Sequence, residues 1–157
     1  MGQLQQGDKA PVFSGVDQDG APVSLSDYAG RKLVLYFYPK DNTPGCTAEA
    51  CSLRDEYDAL RNAGYDVLGV SPDKAEKHLK FIAKYALPFR LLADTDASVA
   101  KAYGAWGRKK FMGREYDGIL RSTFLIDEQG RIERIISSVR TKDHAQQILE
   151  AQVGLSA

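Results

Sequence analysis

The chain has 157 residues, a length at which one domain buries a substantial core, so we expect residues 1–157 to form a single domain. Its 21 basic and 21 acidic residues give a formal net charge of zero, which provides no overall field to attract nucleic acid or anionic lipid. The N-terminal residues lack the basic and apolar regions of a signal peptide, and no apolar run is long enough to span a bilayer. These features predict a cytoplasmic protein without a nucleic-acid or membrane partner.

The predicted elements begin with a hairpin, because residues 12–13 and 23–25 flank the turn sequence Asp17-Gln-Asp-Gly20. Residues 33–38 are apolar without alternation, which is typical of a central strand buried on both faces. The remaining elements are, in order, helix 44–62, strand 65–70, helix 75–85, strand 91–92, helix 97–103, an antiparallel hairpin of 120–126 with 132–136, and helix 142–152. This order predicts an α/β thioredoxin-like fold, with a central mixed sheet flanked by helices and an N-terminal β-hairpin extension.

The only two cysteines, Cys46 and Cys51, both fall in the predicted helix 44–62. In a projection at 100° per residue, Cys46 lies on the apolar stripe that faces the sheet, and Cys51 lies about 140° away on the polar side. Cys46 alone would be a small core residue in most proteins, but a cysteine on a polar face gains nothing from packing. The two together therefore favour redox chemistry.

The turn before this helix favours an ionised thiol at Cys46. Thr43 suits the N-cap position, Pro44 suits the first helical position, and Gly45 leaves room for a ligand near backbone N–H groups. Cys46 then lies in the first turn, where the positive end of the helix dipole stabilises a thiolate.

The helix also keeps the two sulfur atoms apart. Five residues along a helix separate the Cα atoms by about 8 to 9 Å, whereas a disulfide tolerates about 7 Å at most. A bond between Cys46 and Cys51 would therefore require the helix to unwind over at least its first turn and a half.

Three blocks of the sequence resemble the peroxiredoxins. The sequence Pro39-Lys-Asp-Asn-Thr-Pro-Gly-Cys46 resembles their active-site signature, and its continuation Thr-Ala-Glu-Ala-Cys51 resembles the peroxiredoxin Q subfamily, also called bacterioferritin comigratory proteins. Residues 103–127 and 139–144 fit the same subfamily, and the similarity covers nearly the whole chain. The resemblance implies a peroxidase that reduces hydrogen peroxide and organic hydroperoxides and that needs no cofactor and no metal.

The resemblance also implies a role for each site residue. Cys46 would be the peroxidatic thiolate, which becomes a sulfenic acid, and Cys51 the resolving thiol, which condenses with it to an intramolecular disulfide. Thr43 and Arg121 would orient the peroxide, and Pro39 would shield the thiolate from water. Thioredoxin, or a similar dithiol protein such as glutaredoxin, would reopen the disulfide, and we expect a monomer. Without the resemblance, Arg121 would be interpreted as a surface residue that opens a strand.

Three other functions stay open on the residues themselves. A peroxide sensor would oxidise once and signal to a partner, although the chain has no added partner-binding segment. A disulfide oxidoreductase would have two residues between its cysteines, where this chain has four. A zinc site would need His78 and His144, which lack the short spacing of a zinc finger.

We expect most of the other polar and aromatic residues to have structural roles. We expect His78 and His144 to be solvated or to cap helices, and Trp106 and Phe111 to be packing or loop anchors. Residues 108–110 are expected to form a solvated basic loop. Glu49, one turn after Cys46, is expected to couple to the hydrogen bonds of the active site or to helix unwinding.

Overall fold

The computed structural model describes the backbone of residues 3–156 and the side chains of residues 3–151. In chain order its elements are β1 (Ser14–Val16), β2 (Pro22–Ser24), β3 (Lys32–Phe37), α1 (Pro44–Asp55), α2 (Tyr57–Asn62), β4 (Tyr65–Ser71), α3 (Ala75–Tyr85), β5 (Arg90–Ala93), α4 (Ser98–Ala102), β6 (Trp106–Phe111), β7 (Arg114–Ile119), β8 (Ser122–Ile126), β9 (Ile132–Ile136) and α5 (His144–Ser156). The main sheet has five strands in the order β5-β4-β3-β8-β9. Strands β3, β4 and β5 are parallel, and β8 and β9 run antiparallel to their neighbours. The predicted central mixed sheet is confirmed.

Strand β3 lies at the centre of this sheet and divides the core into two layers. Leu33, Leu35 and Phe37 pack on one face, under the hairpin β1–β2 and α4. The alternate side chains, Val34 and Tyr36 among them, pack on the other face against α1, α2, α3 and α5. Because helices cover both faces, the strand is apolar along its whole length, as its sequence predicted.

The predicted helix 44–62 is two helices. Helix α1 ends at Asp55 and α2 begins at Tyr57, because Glu56 leaves the helical region with φ −107° and ψ 18°. Beyond the bend, Leu60 is fully buried and the Tyr57 hydroxyl donates to the Asp66 carboxylate at 2.9 Å. No proline or glycine marks the break, so it is tertiary packing that sets it, and the local sequence gives no signal.

Residues 106–119 form the antiparallel ribbon β6–β7, where a solvated basic loop was predicted at 108–110. Met112 and Gly113 make its two-residue turn with φ of 51° and 79°, the combination that closes a hairpin with the correct twist. Trp106 packs partly on the core, which agrees with its predicted role, but Phe111 is 64% exposed and anchors nothing. The charged sequences of β6 and β7 lack the alternation of apolar and polar residues that predicts a strand.

The other predicted elements are present, with ends shifted by a few residues. The N-terminal hairpin is confirmed as β1–β2, and its turn is held by Asp17 Oδ1, which accepts the N–H groups of Asp19 and Ala21. The last helix begins at His144, after a 3-10 turn at Thr141–Asp143. Among the described residues, no helix has the length and apolar character needed to cross a membrane.

Candidate active site

Cys46 lies in the first turn of α1 and is 1% exposed, at the buried position that the helix projection predicts. Pro44 occupies the first helical position, and the first helical hydrogen bond joins the N–H of Thr47 to the carbonyl of Thr43 at 2.8 Å. The N–H groups of Gly45 and Cys46 precede that bond and have no acceptor within the helix. Backbone donors and the positive end of the helix dipole therefore meet at the sulfur.

Arg121 brings a guanidinium to the same sulfur. It lies just before β8, and its Nη2 donates to Cys46 Sγ at 3.2 Å. A Cβ at Gly45 would lie 3.4 Å from the same Nη2, so the guanidinium packs directly over the cysteine turn. The structure thus brings together two predicted site residues that are 75 positions apart in the chain.

Thr43 and Pro39 flank the loop that leads from β3 into the cysteine turn. Thr43 occupies the N-cap position, as predicted, but its side chain caps no N–H group of the helix. Its hydroxyl donates instead to the carbonyl of Lys40 at 2.9 Å. Pro39 is half-buried. Both residues therefore lie in the segment that precedes the buried sulfur.

A buried aspartate, Asp41, holds this loop through polar contacts. The carboxylate of Asp41, 2% exposed, accepts the Tyr38 hydroxyl at 2.5 Å and contacts His78 Nδ1 at 2.6 Å. The other ring nitrogen of His78 contacts the carbonyl of Leu92 at 3.1 Å. His78 is completely buried, so its predicted role as a solvated or capping residue is wrong.

A second buried cluster lies behind Arg121. Its Nη1 donates to Glu49 Oε1 at 2.5 Å, and the other oxygen of that fully buried carboxyl, Oε2, has no hydrogen-bond partner in the part of the chain that the structure describes. His144 Nε2 lies 3.6 Å from Oε2 and 2.7 Å from Thr123 Oγ1, and His144 Nδ1 lies 2.8 Å from Gln147 Oε1. Glu49 thus couples to the active-site hydrogen bonds, as expected. His144 is fully buried, so the prediction of a solvated or capping role is wrong here too.

Burial sets the charges of this cluster. It raises the pKa of Glu49 to about 7, against the attraction of Arg121. It lowers the pKa of His144 to about 4, against the hydrogen bond with Gln147. Burial also acts to lower the pKa of Arg121, but Glu49 and Cys46 raise it above its ordinary value. The guanidinium therefore stays charged and serves a sulfur and a carboxyl through separate nitrogens.

Cys51 lies further along α1 and, like Cys46, is a free thiol. It is half-buried, whereas the helix projection placed it on the polar side. Both cysteines lie within one continuous helix, so the predicted separation of their sulfur atoms applies to this reduced form. Within residues 3–156, no three histidine, cysteine or acidic side chains converge as metal ligands would.

A sequence profile of the AhpC/TSA family matches residues 6–135. The chain is 50% identical over 149 residues to peroxiredoxin Bcp of Escherichia coli (strain K12), which covers 95% of this chain and 96% of that protein. The chain belongs to the AhpC/TSA family. It is a peroxiredoxin of the Bcp and peroxiredoxin Q type, so it is a thiol peroxidase with a peroxide substrate and a reductant partner.

Solved structures agree with this assignment. The crystal structure of a mutant of Xylella fastidiosa PrxQ has a TM-score of 0.87 and 32% sequence identity, over 100% of both chains. The bacterioferritin comigratory protein of Xanthomonas campestris, described through its alkyl peroxide reduction activity, has a TM-score of 0.85 and 33% identity over 92% of both chains. The predicted family, subfamily and thioredoxin-like fold are confirmed.

Sequence reasoning missed one cation near the site of this peroxiredoxin. Burial and the positive charge of Arg121 lower the pKa of Lys109, and Cys46 opposes that shift. Lys109 lies on β6, the strand that was expected to be a loop, so its position could not be recognised without the ribbon β6–β7.

Proposed function

We propose that this peroxiredoxin reduces hydrogen peroxide and organic hydroperoxides through a Cys46 sulfenic acid and a Cys46–Cys51 intramolecular disulfide, and that thioredoxin or a similar dithiol protein recycles it. The contact of 3.2 Å between Cys46 Sγ and Arg121 Nη2 at the start of α1 carries the proposal. Arg121 supplies a permanent cation to the buried sulfur, and the first turn of α1 supplies free backbone N–H groups. A thiolate nucleophile requires both. The alkyl peroxide reduction described for the Xanthomonas campestris relative supports organic hydroperoxides as substrates.

In the first step, the Cys46 thiolate attacks one oxygen of the peroxide. A sulfur–oxygen bond forms, the oxygen–oxygen bond breaks, and the departing oxygen takes up a proton to become water or an alcohol. Arg121 faces the charge that develops on the departing oxygen, and Thr43 helps to orient the peroxide. Pro39 shields the thiolate from water. Positioning and electrostatic stabilisation supply the rate enhancement, since the sulfur itself performs the chemistry.

In the second step, Cys51 attacks the sulfur of the Cys46 sulfenic acid, a disulfide forms, and water leaves. This step needs α1 to unwind, because two residues five positions apart on a helix are about 8 to 9 Å apart at Cα. A dithiol reductant then opens the disulfide by two successive exchanges and leaves as the oxidised protein. Thioredoxin and glutaredoxin both have the required chemistry.

A peroxide sensor is the second candidate, since a helix that unwinds on oxidation would change a binding surface. Catalytic amounts of protein, incubated with thioredoxin, its reductase, NADPH and excess peroxide, separate the two. The proposed enzyme consumes peroxide steadily, whereas a sensor oxidises once and stops.

A single domain over residues 1–157, a monomeric state and a cytoplasmic location belong to the same proposal.

Serine variants of the two cysteines test the assignment of roles. Cys46→Ser should form no sulfenic acid and consume no peroxide, because the nucleophile is missing. Cys51→Ser should react once and accumulate a sulfenic acid that a dimedone probe traps, because attack does not need the second thiol. Mass spectrometry under non-reducing conditions measures both products. Loss of the first oxidation in Cys51→Ser would overturn the assignment.

A further inference from the structure

We propose that Glu49 and His144 form a buried pair that holds one proton behind Arg121 and so leaves the guanidinium charge to the Cys46 thiolate. The inference rests on the proposed function in one respect, that Cys46 reacts as a thiolate. Glu49 and His144 act through Arg121 and do not touch the sulfur, so they are positioning residues.

The hydrogen bonds around His144 define which of its nitrogens carries a proton. Gln147 Oε1 accepts the N–H of Arg140 at 3.0 Å, and Gln147 Nε2 donates to the carbonyl of Ser138 at 2.8 Å, which fixes the amide orientation. His144 Nδ1 faces the amide oxygen and is therefore the protonated nitrogen. In a neutral imidazole, Nε2 then has only a lone pair, which accepts the Thr123 hydroxyl.

The same Nε2, with its lone pair occupied by the Thr123 hydroxyl, faces a carboxyl oxygen that has no proton donor. Glu49 Oε2 lies 3.6 Å from His144 Nε2 and has no hydrogen-bond partner among residues 3–151, and both side chains are fully buried. A carboxylate oxygen turned toward a bare nitrogen in a dry interior is strongly unfavourable. One proton on Oε2 removes the conflict, because the carboxyl is then neutral and no longer places a negative charge beside the Nε2 lone pair. The pKa of Glu49, which burial raises to about 7, supports the carboxyl as its holder.

Several charged or titratable groups face this pair from the elements around it. They are Cys46 on α1, Tyr36 on β3, Arg121 before β8, and Arg140 and Asp143 before α5. The Tyr36 hydroxyl is buried and has no hydrogen-bond partner among the described side chains, and burial together with the Glu49 charge raises the pKa of Tyr36 well above its ordinary value. Arg121 is thus the cation that bonds directly to Glu49, and the thiolate competes for it.

The proton decides how Arg121 divides its charge. With the proton in place the pair is neutral, and the Cys46 thiolate is the one anion bonded to the guanidinium. Without it, Glu49 becomes a second anion hydrogen-bonded to Nη1. Its negative charge then offsets part of the guanidinium charge that stabilises the thiolate, and it also repels the thiolate. Oxidation of Cys46 by peroxide should therefore slow as pH rises through the range in which the pair loses its proton.

Infrared difference spectroscopy tests the proton directly on the reduced full-length protein. Between about pH 6 and pH 9, on either side of the pKa of about 7 for Glu49, the wild type should lose the carbonyl band of a protonated carboxyl. Glu49→Gln should lack that band, whereas Glu150→Gln, which alters an exposed carboxyl on α5, should retain it. If the Glu49 band is absent at the lower pH, the proposal is wrong, whatever the enzyme does.

The rate of sulfenic acid formation tests the consequence, measured in a Cys51→Ser background so that the product accumulates. The rate constant with hydrogen peroxide should fall at least about threefold between about pH 7 and pH 9, whereas Glu49→Gln should show no such fall. The amide mimics the protonated carboxyl, since its oxygen can accept from Arg121 and it stays neutral at every pH in this range. Equal pH profiles in the two proteins would overturn the inference, and failure of both to form sulfenic acid would overturn the proposed function instead.

His144→Gln provides a second variant with a different expected sign. An amide N–H at this position can donate to Glu49 Oε2, which the imidazole of this tautomer cannot do, and so stabilises the carboxylate. The pH at which the Glu49 infrared band disappears should therefore move down by about one unit. An unchanged or higher midpoint would exclude His144 from the pair.

Discussion

Arg121 places two nitrogens of one guanidinium on two different groups, Nη1 on Glu49 and Nη2 on Cys46. Lysine has the same charge on a single nitrogen at the end of a flexible chain, so it cannot bridge a carboxyl and a sulfur in a fixed geometry. The arrangement explains why the site uses arginine, and it separates the effect of geometry from the effect of charge.

Arg121→Lys should slow the oxidation of Cys46 by about 100-fold, because a fixed donor to the developing charge is lost while a positive charge remains. Quenched-flow trapping of the sulfenic acid measures the rate constant. Arg131→Lys is the matched control, since the Arg131 guanidinium bonds the carbonyl of Gly7 at 3.1 Å. A rate close to wild type in Arg121→Lys would mean that charge alone suffices.

The sequence predicted the buried position of Cys46 from the helix-start turn, and the family motif predicted Arg121 and Thr43 as site residues. It was insufficient for the two histidines. Each lies on a helix in a polar stretch, which predicts a surface residue, yet each is buried by partners from other strands. The pattern of residues along one helix does not predict which carboxyl or hydroxyl from another part of the chain will contact that helix.

The loop between β3 and α1 is held by the Asp41 carboxylate, which contacts Tyr38 and His78, and by the Asp41 N–H, which donates to the Asp73 carboxylate at 2.6 Å. Asp41→Asn has nearly the same shape, but only one of its two terminal atoms can accept a hydrogen bond and the carboxylate charge is lost. We expect the free energy of unfolding in urea to fall by about 1 to 3 kcal/mol. Asp117→Asn, at an exposed position on β7, should change it by less than about 0.5 kcal/mol. Equal stabilities of the two variants would contradict the anchoring role of Asp41.

Helix α1 is fastened differently at its two ends. Beyond Cys51, the Ser52 hydroxyl accepts the N–H of Ala145 at 3.1 Å, and Arg54 donates to the carbonyl of Tyr85 at 2.8 Å. Before Cys51, Glu49 holds the helix through Arg121. Because Glu49 lies between the two cysteines, unwinding that joins their sulfurs pulls on this contact and spares the two beyond it.

Formation of the disulfide should therefore remove amide-exchange protection from residues 47–55 of α1, because the helical acceptors of these N–H groups lie at or before Cys51. The N–H of Glu56, which donates to the carbonyl of Ser52 at 3.2 Å, and those of α2 should stay protected. Hydrogen–deuterium exchange with mass spectrometry, on reduced protein and on protein oxidised with one equivalent of peroxide, measures this. Cys51→Ser treated in the same way is the control, because it is oxidised without a disulfide. Matching protection in the reduced and disulfide forms would show that the helix does not unwind.

Periodicity predicted the elements that bury a regular apolar face and failed where the face is polar or the bend is tertiary. Strand β3 and α3 bury such faces, and both were predicted to within a residue or two. The ribbon β6–β7 is mostly exposed and strongly charged, so it has no apolar period to detect. The break at Glu56 has no proline or glycine to mark it, so no local residue signals it.

At the scale of the whole molecule, the buried Glu49 and His144 affect stability in opposite directions as pH changes. The pKa of Glu49 rises on folding from 4.5 to about 7, so its contribution to stability is lost as pH rises through that range. The pKa of His144 falls on folding from 6.5 to about 4, so its contribution is lost as pH falls through that range. Between about pH 4.5 and 6.5, folded and unfolded chains bind the same single proton, and the two slopes cancel.

Glu49→Gln should remove this cancellation and expose the slope of His144. Relative to wild type, the free energy of unfolding of the variant should fall by about 2 to 3 kcal/mol as pH falls from about 6.5 to 4, since each unit of pKa shift is worth about 1.4 kcal/mol. Urea unfolding at a series of pH values measures the difference. Glu150→Gln should follow the wild type, because that carboxyl is exposed. Parallel curves for Glu49→Gln and wild type would mean that the contributions of Glu49 and His144 to stability do not cancel in the wild type.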